Sequence, residues 1–240
     1  MIFFLIPVFN EEKNIPNVYQ ELSALSLNEE AYFVFSDDGS TDQSNRIITS
    51  LFKAKSFVIL GDGVNRGPGG AFNTGFEWIL QQSKSPSDCI VTLEADCTSD
   101  LSILPVMLML NKMNYDLVLA SVYAQGGGFD QTSFYRKFTS AVANFLFRFL
   151  FNVQVLTLSS FYRVYSIAIL QKIKRTQPKL INETGFICML EILIKVIKEG
   201  AKVIEVPMQL HSSKRQGQSK MKVFKTTLQY FKFLLNNKGR

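Results

Sequence analysis

The sequence predicts an α/β fold in which a mostly parallel central sheet is flanked by helices. Three observations predict it. Apolar runs of four to six residues alternate with helical patterns over the first half of the chain, the pattern of strand–helix–strand units. Each polar cluster of that half directly follows an apolar run, and parallel sheets take ligands beyond the carboxyl ends of their strands. With 47% hydrophobic and 19% charged residues, 240 residues can bury a full core.

The elements follow in order. Ile2-Phe3-Phe4-Leu5-Ile6 is a first strand, too short for a signal h-region and without a basic n-region, so the protein is expected not to be exported. A helix near 14–25 leads to a second strand near 31–36, which carries Tyr32-Phe33-Val34-Phe35. A helix near 42–53, capped by Ser40 or Thr41, precedes a third strand near 56–60. Gly67-Pro68-Gly69-Gly70-Ala71 opens a helix near 70–82, and Cys89-Ile90-Val91-Thr92-Leu93 forms the fourth strand, near 88–93. Thr98, Ser99 and Asp100 offer caps for a helix near 100–113, before a fifth strand near 116–121.

Beyond residue 122 come the loop Gly126-Gly127-Gly128, a long helix near 134–151, a strand near 161–165, helices near 166–174 and 185–199, and a strand near 202–206. On the long helix Phe134, Phe138, Val142, Phe145 and Phe149 form an apolar stripe, while Arg136, Ser140, Asn144 and Arg148 form a polar one suited to an anion. A last helix, Met221 to Asn236, sets Lys222, Lys225, Gln229 and Lys232 against Phe224, Leu228, Phe231 and Leu235. Such a helix either lies on an anionic bilayer or packs on its own domain. No repeat or linker interrupts the chain, so 1–240 reads as one domain: 1–121 for a nucleotide, 122–220 for an acceptor, and 221–240 as the basic helix.

Eight of the 26 Lys and Arg, and no Asp or Glu, lie between Val206 and Arg240, so the net charge of +6 is a C-terminal feature. Basic and aromatic residues do not interleave on a sheet face, which argues against nucleic acid. Cys89, Cys97 and Cys188 lack CxxC spacing and cannot all pair, pointing to a reducing compartment, a cytoplasmic location and no structural zinc. Leu101 to Leu110, broken by Pro105, is too short to span a bilayer, so membrane contact is expected to be peripheral.

Glu94 and Asp96 end the fourth strand. Alternation along an extended chain turns both carboxylates the same way, giving two hard oxygen ligands for Mg²⁺ or Mn²⁺ and a nucleotide diphosphate. The alternative is an exposed Glu94 and a helix-capping Asp96. Asp37-Asp38-Gly39-Ser40-Thr41-Asp42 combines a carboxylate able to accept a base N–H with a turn and cap. In Pro7-Val8-Phe9-Asn10-Glu11-Glu12, Phe9 can lie against a base and Glu11 can accept from a ribose hydroxyl, or the segment is an ordinary loop. The Gly67 loop lacks the P-loop Lys and GxGxxG spacing, which leaves close backbone passage and Arg66 as a diphosphate contact. His211, the only histidine, is not assigned a base role.

Together with Gly217-Gln218-Ser219-Lys220, these motifs resemble, in order and spacing, the family 2 glycosyltransferases of GT-A fold, above all the dolichol-phosphate mannosyltransferase and polyprenyl-phosphate glycosyltransferase branch. The resemblance runs from Ile2 to about Tyr230. It implies that Pro7, Phe9, Glu11 and Asp38 hold base and ribose and that Glu94, Ala95 and Asp96 form the DxD motif for metal and donor diphosphate, with Thr98 a further metal ligand. It places Arg136 and Ser140 on the acceptor phosphate, and Lys214 before a closing loop whose Ser219 and Lys220 meet donor and acceptor; Asp96, Arg136 and Lys214 are the expected catalytic groups. The chain departs from the pattern at Glu94 (usually Asp), Val122 (Arg), Leu156 (Asp), Ser160 (Gly) and Lys214 (Arg).

The implied activity is metal-dependent, inverting transfer of a sugar from a GDP- or UDP-sugar to a polyprenyl phosphate at the cytoplasmic face of a membrane. A phosphate acceptor is largely dianionic above a second pKa of about 6 and needs no strong base. Two rivals stand beside it. One is transfer to a sugar hydroxyl in a polysaccharide or glycolipid, with Asp130, Glu183 or Glu191 as base; the other is a non-catalytic relative that binds nucleotide sugar.

Overall fold

The computed structural model describes residues 1–130, 148, 154–217, 220, 226, 229, 230, 232 and 233. The near-continuous apolar runs are strands buried on both faces, as parallel strands beneath two helix layers must be. They are β1 (Ile2–Val8), β2 (Ala31–Asp37), β3 (Ser56–Leu60), β4 (Cys89–Thr92) and β5 (Leu117–Ser121). With β7 (Arg163–Ser166) and β8 (Val203–Pro207) they form one sheet of order β3-β2-β1-β4-β7-β5-β8. All pairs are parallel except those of β7, which runs antiparallel to both β4 and β5.

Alternation along β1 sorts the core into two layers. Phe3 and Leu5 face α3 (Gly67–Gln82), packing with Phe72, Phe76 and Ile79. Ile2, Phe4 and Ile6 face α1 (Ile15–Ser23) and α2 (Ser44–Phe52), where Phe52 meets Phe35 at 4.7 Å and Phe33 at 5.2 Å between ring centroids. Gly75 brings α3 close enough to β1 that a Cβ there would sit 2.1 Å from Leu5 Cδ1.

Several elements differ from the sequence expectation in physically readable ways. The helix near 100–113 is split into a 3₁₀ turn (Leu101–Ile103) and α4 (Leu104–Lys112), because Pro105 fits only a first helical turn and Asp100 accepts from Ser102 N at 3.0 Å. The α2 cap is neither Ser40 nor Thr41: Asp42 Oδ1 accepts from Ser44 N at 2.9 Å, while Ser40 Oγ accepts from Asn10 N at 3.0 Å. After α5 (Ile167–Thr176), the helix near 185–199 starts only at Cys188, as α6 (Cys188–Lys198). A two-residue parallel pair, β6 (Gly128–Phe129) with β9 (Gln209–Leu210), has no periodic signal to announce it.

The helix near 134–151 lies outside the described residues apart from Arg148. Of the last helix, Phe233 is buried and Tyr230 packs against the same layer, while Lys232 is exposed. The stripe of Phe224, Leu228, Phe231 and Leu235 lies outside the described residues. Among the described residues no helix is long and apolar enough to cross a membrane.

Candidate active site

The parallel order β2-β1-β4 brings three loops together at the carboxyl edge, with Val8 paired to Asp37 and Leu5 to Thr92. The loops are tied to one another rather than merely adjacent. Asn10 Oδ1 accepts from Thr41 N at 2.8 Å, Glu11 N donates to Ser44 Oγ at 2.8 Å and Glu12 N donates to Asp42 Oδ2 at 3.1 Å. Pro7 lies within β1, and Phe9 and Glu11 follow its end.

Asp38 is 7% exposed and accepts from Arg66 N at 2.6 Å, so one of its oxygens is committed to the turn entering α3. Burial raises its carboxyl above the ordinary range, against the lowering effect of the Arg66 and Gly67 N–H groups. Asp37 serves the turn and helix, accepting from Ser40 N at 3.1 Å and Asn45 Nδ2 at 3.0 Å. Gly39, at φ +76°, lies where a Cβ would come within 2.9 Å of both Asn65 N and Gly63 O, so only glycine fits this close passage. Arg66, expected near a diphosphate, instead pairs with Asp62 at 2.6 Å on the surface.

Glu94 and Asp96 do face the same way. Thr98 Oγ1 lies 2.7 Å from Asp96 Oδ1 and 3.3 Å from Glu94 Oε2, bridging the two carboxylates. Thr98 N also donates to Asp96 Oδ1 at 3.1 Å, a turn made possible by Cys97 at φ +61°. Ala95 is buried in the core layer beneath. Burial, then the negative charge of Asp96, pushes the Glu94 carboxyl well above the usual glutamate range, opposed by Arg215 and Thr98.

These donors fit a hard divalent cation. Among the described residues no third Asp, Glu, His or Cys side chain completes a cluster here. Glu94, Asp96 and Thr98 are the residues that would hold Mg²⁺ or Mn²⁺, which would there supply positive charge to a bound diphosphate.

The C-terminal loop closes the site with residues that the sequence reading did not single out. Arg215 Nε donates to Asp96 Oδ2 at 2.7 Å, and Nη2 of the same guanidinium donates to the same oxygen. Asn14, 2% exposed, holds that loop: its Oδ1 accepts from Gln216 N at 2.8 Å and its Nδ2 donates to Gln216 O at 3.0 Å and to Glu11 Oε2 at 2.6 Å. Lys220 reaches Glu11 Oε1 at 2.9 Å, bonds to the Phe9 and Asn10 carbonyls, and stands 5.7 Å above the Phe9 ring. Lys214 is brought not to the carboxylates but to Glu21 on α1, at 2.7 Å. The one sequence signal for Arg215 was its place as a second cation beside Lys214; nothing local marks Asn14.

Arg136, Ser140 and Ser219 lie outside the described residues. Of the three acids considered as bases, Glu191 accepts from Asn182 N at 3.0 Å, Asn182 Nδ2 at 2.9 Å and Glu183 N at 2.8 Å and pairs with Lys195 at 2.7 Å. Asp130 accepts from Ser212 N at 2.8 Å and binds Ser213. Both are committed to holding loops. Burial and the nearby Glu191 raise the Glu183 carboxyl, against Lys232. Where the family pattern has an aspartate, Leu156 offers only its backbone N–H, which donates to Glu205 Oε2 at 2.7 Å.

Comparison with known proteins gives the family and the fold. The chain is 26% identical over 219 residues to the polyprenol monophosphomannose synthase of Mycolicibacterium smegmatis, spanning 90% of this chain and 79% of that protein. It is 26% identical over 235 residues to the dolichol-phosphate mannosyltransferase of Pyrococcus furiosus, spanning 96% of this chain but 61% of that protein. In structure it superposes on glucosyl-3-phosphoglycerate synthase of Mycobacterium tuberculosis, crystallised with Mn²⁺, UDP and glucosyl-3-phosphoglycerate, at a TM-score of 0.69 and 18% identity, covering 100% of this chain and 80% of that one. Residues 3–174 match the Glycosyl transferase family 2, so the chain belongs to the family 2 glycosyltransferases and has their GT-A fold.

Proposed function

We propose that the chain moves a sugar, with inversion, from a GDP- or UDP-sugar to the phosphate of a polyprenyl lipid, using Mg²⁺ or Mn²⁺. The observation that carries this reading is the convergence of Glu94, Asp96, Thr98, Arg215 and Lys220 on one cleft beside the Phe9 and Asp38 loops. Phe9 and Asp38 hold the nucleobase, and Glu11 takes a ribose hydroxyl. Glu94 and Asp96 would hold a divalent cation, which would supply Lewis-acid stabilisation to the departing diphosphate. Arg215 and Lys220 add positive charge beside it, and stabilising the charge that develops is where catalysis of such a step resides.

A phosphate oxygen of the acceptor forms the new bond to the anomeric carbon as the bond to the nucleoside diphosphate breaks and carries away its electron pair. A dianionic acceptor gives up no proton, which suits a site whose Glu191 and Asp130 are engaged in loop contacts. Arg136, Ser140, Ser219 and Lys220 are the acceptor-side residues of this reading, Lys214 being paired to Glu21. The names of the two mannosyl-transferring relatives support the lipid phosphate, and the basic C-terminal segment suits peripheral contact with an anionic cytoplasmic leaflet.

Transfer to a sugar hydroxyl is the second reading, favoured by Val122 in place of the acceptor arginine, with Glu183, whose carboxyl burial raises, as its base. A screen of nucleotide sugars with and without polyprenyl phosphate separates the two. Lipid-linked product that vanishes in Arg136→Ala and survives in Glu183→Gln supports the phosphate acceptor. Transfer only to a free sugar, lost in Glu183→Gln, overturns it.

A further inference from the structure

Asp96 has no oxygen to spare. Its Oδ1 accepts from the hydroxyl and N–H of Thr98, at 2.7 and 3.1 Å, and its Oδ2 accepts from two donors of the Arg215 guanidinium. A charge-assisted fork of this kind is among the stronger hydrogen bonds a protein makes. A divalent cation arriving alone would have to displace the guanidinium and leave it, half-buried, beside a new positive charge.

The backbone around Arg215 is pinned on both sides. Gln216 is clamped through its N–H and C=O by Asn14, Lys214 is paired to Glu21, and Ser212 is bonded to Asp130. Release of Asp96 is therefore a side-chain movement. A diphosphate bound beside the cleft offers the displaced guanidinium another anion at once, and bidentate pairing with phosphate oxygens is what a guanidinium does well.

We propose that Arg215 is a resident cation that occupies the metal-ligating oxygen of Asp96 and exchanges onto the diphosphate, so that divalent metal and nucleotide bind with positive cooperativity and neither settles firmly alone. The inference rests on the assignment of Glu94 and Asp96 as metal ligands and adds the order that one arginine imposes on it. Coupling between sites is reciprocal, and values of about 5- to 150-fold are typical.

The test is titration of Mn²⁺ into the full chain by calorimetry and electron paramagnetic resonance, alone and with saturating UDP or GDP, for the wild type, Arg215→Gln, Arg215→Lys and Asp96→Asn. Arg215→Gln is expected to bind Mn²⁺ alone at least about 5-fold more tightly than the wild type and to lose at least about 5-fold of the gain that nucleotide brings. Arg215→Lys, which keeps the charge but not the fork, should fall between them. An arginine that merely supports the loop would leave Mn²⁺ affinity unchanged or lower it on removal, and either result overturns the proposal. If the wild type binds no Mn²⁺ even with nucleotide, the metal assignment itself falls and takes the exchange with it. Binding that persists equally in Asp96→Asn places the metal elsewhere and has the same consequence.

Discussion

Replacing Arg163 with methionine removes a fully buried cation that, among the described residues, has no carboxylate partner in its hydrogen bonds. Its guanidinium donates to Leu158 O at 2.7 Å, Ser160 O at 2.8 Å, Met189 O at 2.8 Å and Tyr165 Oη at 3.1 Å, tying the 158–160 loop to β7 and α6. Each buried carbonyl left without a donor costs about 1–3 kcal/mol. Met189 O keeps its helical donor within α6, so Leu158 O and Ser160 O are the two left bare; they give at least about 2 kcal/mol, and relief from burying a charge offsets part of the remainder. A net loss of about 2–4 kcal/mol is expected, and at about 2–4 °C per kcal/mol for a chain of this size the melting temperature should fall by about 4–16 °C. Urea unfolding followed by circular dichroism, with a parallel calorimetric melt, reads it. Wild-type stability in Arg163→Met would show that the guanidinium contributes no more than its own burial costs, and the argument for it as the tie of that loop would fail.

Three further outcomes follow from the geometry. Burial alone would raise the Asp42 carboxyl, but the Ser44 hydroxyl, Ser44 N–H and Glu12 N–H outweigh it and hold it below the ordinary aspartate range. Its contribution is thus present above the unfolded pKa of about 3.9 and is lost as pH falls through the lower folded value. Asp42→Asn, which keeps an accepting oxygen but loses the charge, should lower stability in melts at pH 6, with the difference closing below about pH 4; a deficit that persists in acid contradicts it. Burial pushes the Cys89 and Cys97 thiols up to about 12 and raises Cys188 as well. A thiol-disulfide reagent at pH 8 should therefore label none of them rapidly until urea unfolds the chain, and fast native labelling would refute that. A Cβ at Gly69 would lie 1.8 Å from the Glu183 carbonyl oxygen, so Gly69→Ala should cost about 1–3 kcal/mol as overpacking, and an unchanged denaturation midpoint would show that the 182–184 loop yields freely.

The first five strands were legible because strands buried on both faces write themselves as unbroken apolar runs. Glu94 and Asp96 do meet, but not through strand alternation: β4 ends at Thr92, and the turn through Cys97 to Thr98 brings the two carboxylates to one hydroxyl. Strand direction is different: Arg163–Ser166 reads like any short strand, and nothing local says that it enters antiparallel between β4 and β5. The pair Gly128–Phe129 and Gln209–Leu210 is too short for any periodicity. Motif likeness drew attention to Lys214, yet its neighbour reaches Asp96 across 119 positions, a distance no local pattern spans. Asn14 escaped notice for the same reason, because its role is to hold residue 216.

The central claim is that Glu94 and Asp96 share one divalent cation with the donor diphosphate. The most direct measurement is anomalous diffraction at the manganese edge from crystals soaked with Mn²⁺ and UDP- or GDP-sugar. The account predicts a single peak bonded to oxygens of Glu94, Asp96 and the diphosphate, with the Arg215 guanidinium moved from Asp96 to the phosphates. Nucleotide bound in the cleft with no peak between those carboxylates would contradict it.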